Sequence, residues 1–133
     1  KPDKEAAPEI ETFIAFVKST LGDAIADVKA SDRLTESAVC LVAPEHGPDR
    51  QFERLLSAAG RLEGGSKPIL EVNPRHPRIL SFARAKDEDL SFRQDLAHLL
   101  YDEARILDGD KPADAKAFSE RIGRLIARTL PAG

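Results

Sequence analysis

The side chains that could act as acid–base groups or metal ligands are few and scattered along this sequence of 133 residues. Its three histidines are His46, between two prolines, His76, next to a proline, and His98, inside a predicted helix. None has a Cys, His or carboxylate partner at the spacing of a known metal site, so we predict no metal site. His46 and His76 are expected to be solvated loop residues.

The other reactive groups do not form a catalytic pattern either. Cys40 lies in a short apolar run, where we expect a protonated thiol that serves as a small core residue. Gly64–Gly65 are not followed by the Lys-Ser or Lys-Thr of a phosphate-binding loop. Asp87–Glu88 and Asp102–Glu103 are interpreted as solvated charges on helix ends or faces. We therefore predict no enzymatic activity; the alternative is a small enzyme or ligand-binding domain that uses Cys40 or His46.

Charge and composition exclude several classes of protein. With 20 basic and 23 acidic residues, the net charge is −3, which is too balanced for a nucleic-acid-binding surface. No apolar run approaches the roughly 18 residues that span a membrane. A single cysteine forbids an internal disulfide and favours a reducing compartment, so we expect a cytoplasmic domain. The absence of methionine is interpreted as the sign of a piece of a longer chain.

The spacing of apolar residues predicts an α+β fold, a small three-stranded sheet covered by helices and followed by a helical hairpin. Residues 1–8 are typical of a linker, and 9–133 are predicted to form one domain. Asn73 and Pro74 are a helix-start signal, with Pro77 as an alternative start. The predicted helices are 10–21, 49–59, 74–84, 91–107 and 114–130, and the predicted strands are 25–30, 38–43 and 68–72.

The last two predicted helices carry long apolar stripes and are separated by a tight breaker, Asp108–Pro112. They are expected to form an antiparallel hairpin that buries only part of each stripe. Periodicity alone leaves two outcomes equally open: pairing with a second copy in a four-helix bundle, or burial within one chain.

Three motifs, taken in order, are recognisable. They are Asp-Arg-Leu-Thr-Glu-Ser at 32–37, Leu-Glu-Val-Asn-Pro-Arg-His-Pro at 70–77, and Leu-Leu-Tyr-Asp-Glu-Ala at 99–104. Together they resemble the C-terminal domain of the heat-shock protein 90 chaperone family in its bacterial form. The resemblance extends from about Ile10 to Leu130, nearly the whole chain.

The resemblance implies a homodimerisation domain of an ATP-dependent, stress-response chaperone. In the family the last two helices, here within 91–130, pair with their copies in a four-helix bundle. ATP and Mg belong to the N-terminal domain, so no cofactor is expected in this chain. The implied dimer-interface residues are Phe92, Leu96, Leu99, Leu100, Leu107, Phe118, Ile122, Leu125, Ile126 and Leu130.

The resemblance also implies a contact with unfolded client proteins through the amphipathic helix at 49–59. Its apolar residues are Phe52, Leu55 and Leu56. From composition alone, a helix docked on the sheet is the simpler interpretation. The expected partners are thus a second copy and client proteins, without nucleic acid or membrane. The chain ends without the acidic tail of eukaryotic cytosolic members, so a bacterial cytoplasmic origin is expected. A stand-alone dimeric interaction or ligand-binding domain is the alternative.

Overall fold

The predicted α+β class is confirmed by a computed structural model, which describes residues 8–32, 36–43, 67–85 and 89–130. The predicted helix 49–59, with Phe52, Leu55 and Leu56, and His46 lie outside the described residues. The described residues form α1 (Pro8–Leu21), a 3₁₀ turn (Gly22–Ala24), β1 (Asp27–Ala30), β2 (Val39–Val42), β3 (Ile69–Val72), α2 (Pro77–Arg84), α3 (Leu90–Leu107) and α4 (Ala115–Thr129).

The three strands form a mixed sheet in the order β1-β3-β2. β3 pairs in parallel with β1, which places Val28 beside Leu70, and antiparallel with β2, which places Leu41 beside Leu70. Because side chains alternate along a strand, these residues share the face that carries the core.

β2 corrects one prediction. The sequence predicts Cys40, within its apolar run, to be a core residue, but Cys40 and Val42 are only half-buried. They point to the other face of the sheet, where the Cys40 Sγ donates to Glu71 Oε1 at 3.9 Å. Cys40 is therefore not a core residue.

Helices α1 and α3 cover the core face of the sheet. α1 packs against β1 and α3, and α3 packs against β2. Ile10, Val17 and Leu21 of α1 are buried at the predicted helical spacing. The helix ends at Gly22, whose φ of 57° is the left-handed conformation expected of a glycine cap.

The start of α2 differs from the primary prediction and confirms the alternative, Pro77. Asn73 is buried and serves the preceding turn: its Nδ2 donates to the Ser37 carbonyl oxygen, and its Oδ1 accepts from the Arg75 backbone N–H. His76 is the actual N-cap, with Nδ1 accepting from the Arg78 N–H at 3.1 Å. The ring of Pro77 disfavours the helical conformation at the residue before it, so the helix begins after His76.

The predicted hairpin of the last two helices is confirmed. At the end of α3, the Gly109 N–H donates to the Ile106 carbonyl and the Asp110 N–H to the Arg105 carbonyl, a Schellman cap. Gly109 adopts a φ of 89°. The Arg105 Nε then donates to the Lys111 carbonyl oxygen at 2.6 Å, which fixes the turn that leads to α4.

Candidate functional site

An open apolar groove of about 360 Å³ lies between α2, α3 and α4. α3 forms one wall, α4 another, and α2 contributes the remaining residues. The lining residues are Arg78, Phe82, Leu96, Leu99, Leu100, Glu103, Ile106, Leu107, Phe118, Ile122 and Leu125.

α4 contributes apolar side chains but none that one copy of the chain buries. Among the described elements it packs chiefly against α3. Its groove residues Phe118, Ile122 and Leu125 are half-buried. Ile126, Leu130 and the α3 residue Leu107 are between 52% and 62% exposed. The apolar stripes are thus only partly covered within one chain.

A row of arginines holds the opposite edge of α4 to α3. Arg124 binds the Asp95 carboxylate through two hydrogen bonds of 2.8 and 2.9 Å, and Arg121 lies 3.8 Å from the same carboxylate. The hydrogen bonds from Arg124 lower the pKa of Asp95 despite its partial burial. Arg128 binds Asp89 at 3.2 Å. This polar edge fixes the hairpin and leaves the apolar edge open.

Between the two helices lies a buried carboxylate that we had predicted to be solvated. Asp102 is only 3% exposed because it faces the α3–α4 turn. Burial raises the pKa of Asp102, and a hydrogen bond from the Ala113 backbone opposes this rise. The Oδ2 of Asp102 has no hydrogen-bond partner among the described residues. One turn earlier, burial and the neighbouring Arg121 lower the pKa of His98. The prediction of a solvated charge is wrong for Asp102.

The structure brings together seven of the ten residues expected at the dimer interface. Those seven line the groove, although Leu100 is also enclosed in the core of the chain. Phe92 instead lies under the Arg128 guanidinium, 3.8 Å from its ring centroid. Ile126 and Leu130 are exposed beyond the groove. The seven are Leu96, Leu99, Leu100, Leu107, Phe118, Ile122 and Leu125.

Four groove residues were missed in the sequence: Arg78, Phe82, Glu103 and Ile106. Ile106 lies seven positions after Leu99, so the periodicity contained a signal for it. The two α2 residues had no such signal, because their position depends on how α2 docks against α1 and α3.

Within residues 8–32, 36–43, 67–85 and 89–130, no helix combines the length and apolar character needed to cross a bilayer. Across those residues, no group of three or more His, Cys, Asp or Glu side chains is arranged to hold a metal ion.

Comparison with known proteins places this chain in a family. The sequence model of the family "Hsp90 protein" matches residues 1–132. Three relatives named Chaperone protein HtpG, from Mesorhizobium japonicum, Azorhizobium caulinodans and Rhizobium meliloti, are 73%, 57% and 54% identical to this chain. The matches cover 100%, 98% and 95% of the chain, respectively. They cover 21%, 21% and 20% of the relatives, so the chain spans about a fifth of their length. The resemblance of the three motifs to the bacterial form of the heat-shock protein 90 family is confirmed, and the chain belongs to the Hsp90 protein family.

Proposed function

We propose that this chain is the homodimerisation domain of an Hsp90-family chaperone, and that the α2–α3–α4 groove is its self-association surface. The observation that carries the proposal is the exposure of α4, which has four large apolar residues and buries none of them in one copy. A helix with such a stripe is stable in water when a partner covers it.

A second copy is the occupant that fits this surface. Two antiparallel helices with apolar surface left over on one side can complete a four-helix bundle with a symmetric copy. The arginine row at the opposite edge of α4 is already paired with Asp89 and Asp95, so the apolar edge is the one that remains to be covered. An interface of this kind buries about 1,200–2,000 Å² in total.

The role of such a dimer is to hold two chaperone chains together. Tethering turns the meeting of their distant domains into an intramolecular event and raises the effective concentration of each domain for the other. ATP binding and hydrolysis, with Mg, are assigned to parts of the chaperone outside this chain. Dimerisation of the chain itself is therefore expected to be the same with and without MgATP.

The test is the molar mass of the chain in solution, measured by sedimentation velocity over a dilution series. Leu125→Asp places a carboxylate in the groove and is expected to convert the dimer to a monomer, because a charge cannot be buried without a partner. Ala127→Asp is the matched control: it adds the same charge on the same helix at an exposed position outside the groove.

Two results would contradict the proposal. One is a wild-type chain that remains a monomer at tens of micromolar. The other is a Leu125→Asp variant that keeps its helical circular dichroism and still dimerises like Ala127→Asp.

Client binding by the helix predicted at 49–59 is the second part of the proposed function. It lies outside the described residues, and its support is the apolar spacing of Phe52, Leu55 and Leu56 together with the chaperone names of the relatives.

A further inference from the structure

The groove contains one pair of opposite charges in otherwise apolar surroundings. Of its eleven lining residues nine are apolar, and the other two are Arg78 of α2 and Glu103 of α3. The Nη1 and Nη2 atoms of Arg78 donate to the two carboxylate oxygens of Glu103 at 2.5 and 3.1 Å. This bidentate pair joins α2 to α3 across 25 residues of sequence.

The pairing within one chain suits a surface that meets its own copy. In an isologous dimer the same patch faces itself, so a lone arginine or glutamate close to the axis is brought near its own duplicate. Like charges held in this way repel each other. Because Arg78 and Glu103 neutralise each other before association, neither copy presents an unbalanced charge to the other.

We infer that the Arg78–Glu103 pair is the polar anchor of the homodimer, a pair of charges that neutralise each other within each copy and are covered by the second copy. The inference rests on the proposed function, since it requires the groove to be the self-association surface. Beyond the proposed function, the inference names Arg78 and Glu103 as the residues that make the surface compatible with a copy of itself. The same pair makes the groove poorly suited to a partner whose contacting surface carries only positive or only negative charge.

The anchor acts differently in folding and in association. In one copy the two side chains are 43% and 31% exposed, so water screens the pair and it contributes little to the stability of the fold. Under a second copy the same charges lose their water, and removing one of them leaves the other buried and unpaired. A variant of one partner is therefore expected to weaken association far more than folding.

The experiment compares dimer dissociation constants of the full chain by sedimentation velocity. Glu103→Gln is expected to raise Kd by about tenfold or more, because Arg78 is left buried without its counter-ion. The matched control is Glu9→Gln, which breaks the ion pair between Arg84 and Glu9 at 3.0 Å. That pair also starts from α2 but lies outside the groove, and its loss is expected to leave Kd within about twofold of wild type.

A double variant tests the physical reason. Replacing both charges together, Arg78→Met with Glu103→Leu, leaves no unpaired charge and is expected to restore Kd to the wild-type range or below it. Circular dichroism at the same concentrations checks that each variant is folded.

The outcomes separate this inference from the proposed function. If Leu125→Asp gives monomers while Glu103→Gln and Glu9→Gln both leave Kd unchanged, the dimer stands and the anchor is refuted. A double variant that dimerises as weakly as Glu103→Gln also refutes it. If Leu125→Asp leaves the dimer intact, the proposed groove itself is wrong.

Discussion

Leu107→Ala is expected to weaken the dimer without affecting the fold of one copy. Leu107 lies at the end of α3, lines the groove and is 58% exposed. Since most of its side chain is in water, truncation leaves almost no cavity in the single chain. The effect is therefore expected in the association equilibrium.

The magnitude follows from the exposed fraction. Complete burial of a leucine side chain stabilises by about 1.5–3 kcal/mol, so covering the 58% that is exposed contributes about 1–1.7 kcal/mol in each copy. A symmetric dimer contains the residue twice, and alanine retains the β-carbon of leucine. The variant is therefore expected to lose about 1.5–3 kcal/mol of association free energy. Kd is thus expected to rise about 10- to 100-fold.

Leu90→Ala is a close control because Leu90 belongs to the same helix and is 53% exposed, yet it does not line the groove. Sedimentation velocity or light scattering over a concentration series gives both dissociation constants. The reasoning is refuted if the two variants change Kd by the same factor, since exposure alone would then account for the effect.

Three further predictions concern stability, pH and clients. Gly109→Ala is expected to lower the free energy of unfolding by about 1 kcal/mol because a φ of 89° is strained for an L residue. Gly123→Ala is expected to raise it by about 0.5–1 kcal/mol, since Gly123 lies inside α4 with open space around an added β-carbon. Urea unfolding of both variants checks that the two changes have opposite signs. The pKa of His98 in the fold lies below its ordinary value of 6.5, so the unfolded chain binds more protons and the free energy of unfolding is expected to fall as pH drops below about 6.5. His98→Gln is expected to make that decline shallower between pH 8 and 5.5, and an unchanged slope would contradict the assignment. Replacing the predicted client-contact residues Phe52, Leu55 and Leu56 with serine is expected to reduce the suppression of client aggregation while the dimer persists. A variant that unfolds would show instead that the three are core residues.

The sequence was most informative where local rules decide the structure. The 3.6-residue spacing of apolar residues located α3 and α4 to within a residue or two, and Asp114 was placed at the start of α4, where it is the N-cap. Gly22 likewise ends α1 as its type predicts.

The predictions failed where tertiary contacts decide. Asn73 has the side chain of a helix cap, but its hydrogen bonds go to Ser37, just before β2, and to Arg75 in the turn before α2, so the cap moves to His76. Asp102 sits on a polar-looking stretch of α3 and is buried only because the α3–α4 turn folds over it. None of these contacts has a spacing signature in the sequence.

The order of contacts along the chain has a consequence for folding kinetics. The three walls of the groove come from consecutive helices within 77–129, whereas the scaffold joins distant segments: the Tyr101 hydroxyl donates to the Ala24 carbonyl oxygen across 77 residues, and Arg84 reaches Glu9 across 75. Contacts between distant segments carry the larger loop-closure entropy and slow the rate-limiting step. During synthesis α1 and β1 must therefore wait for β3 and α3 before they can dock. The α2–α3–α4 groove is encoded by neighbouring segments, while the time needed to stabilise it is set by the docking of the first helix and strand.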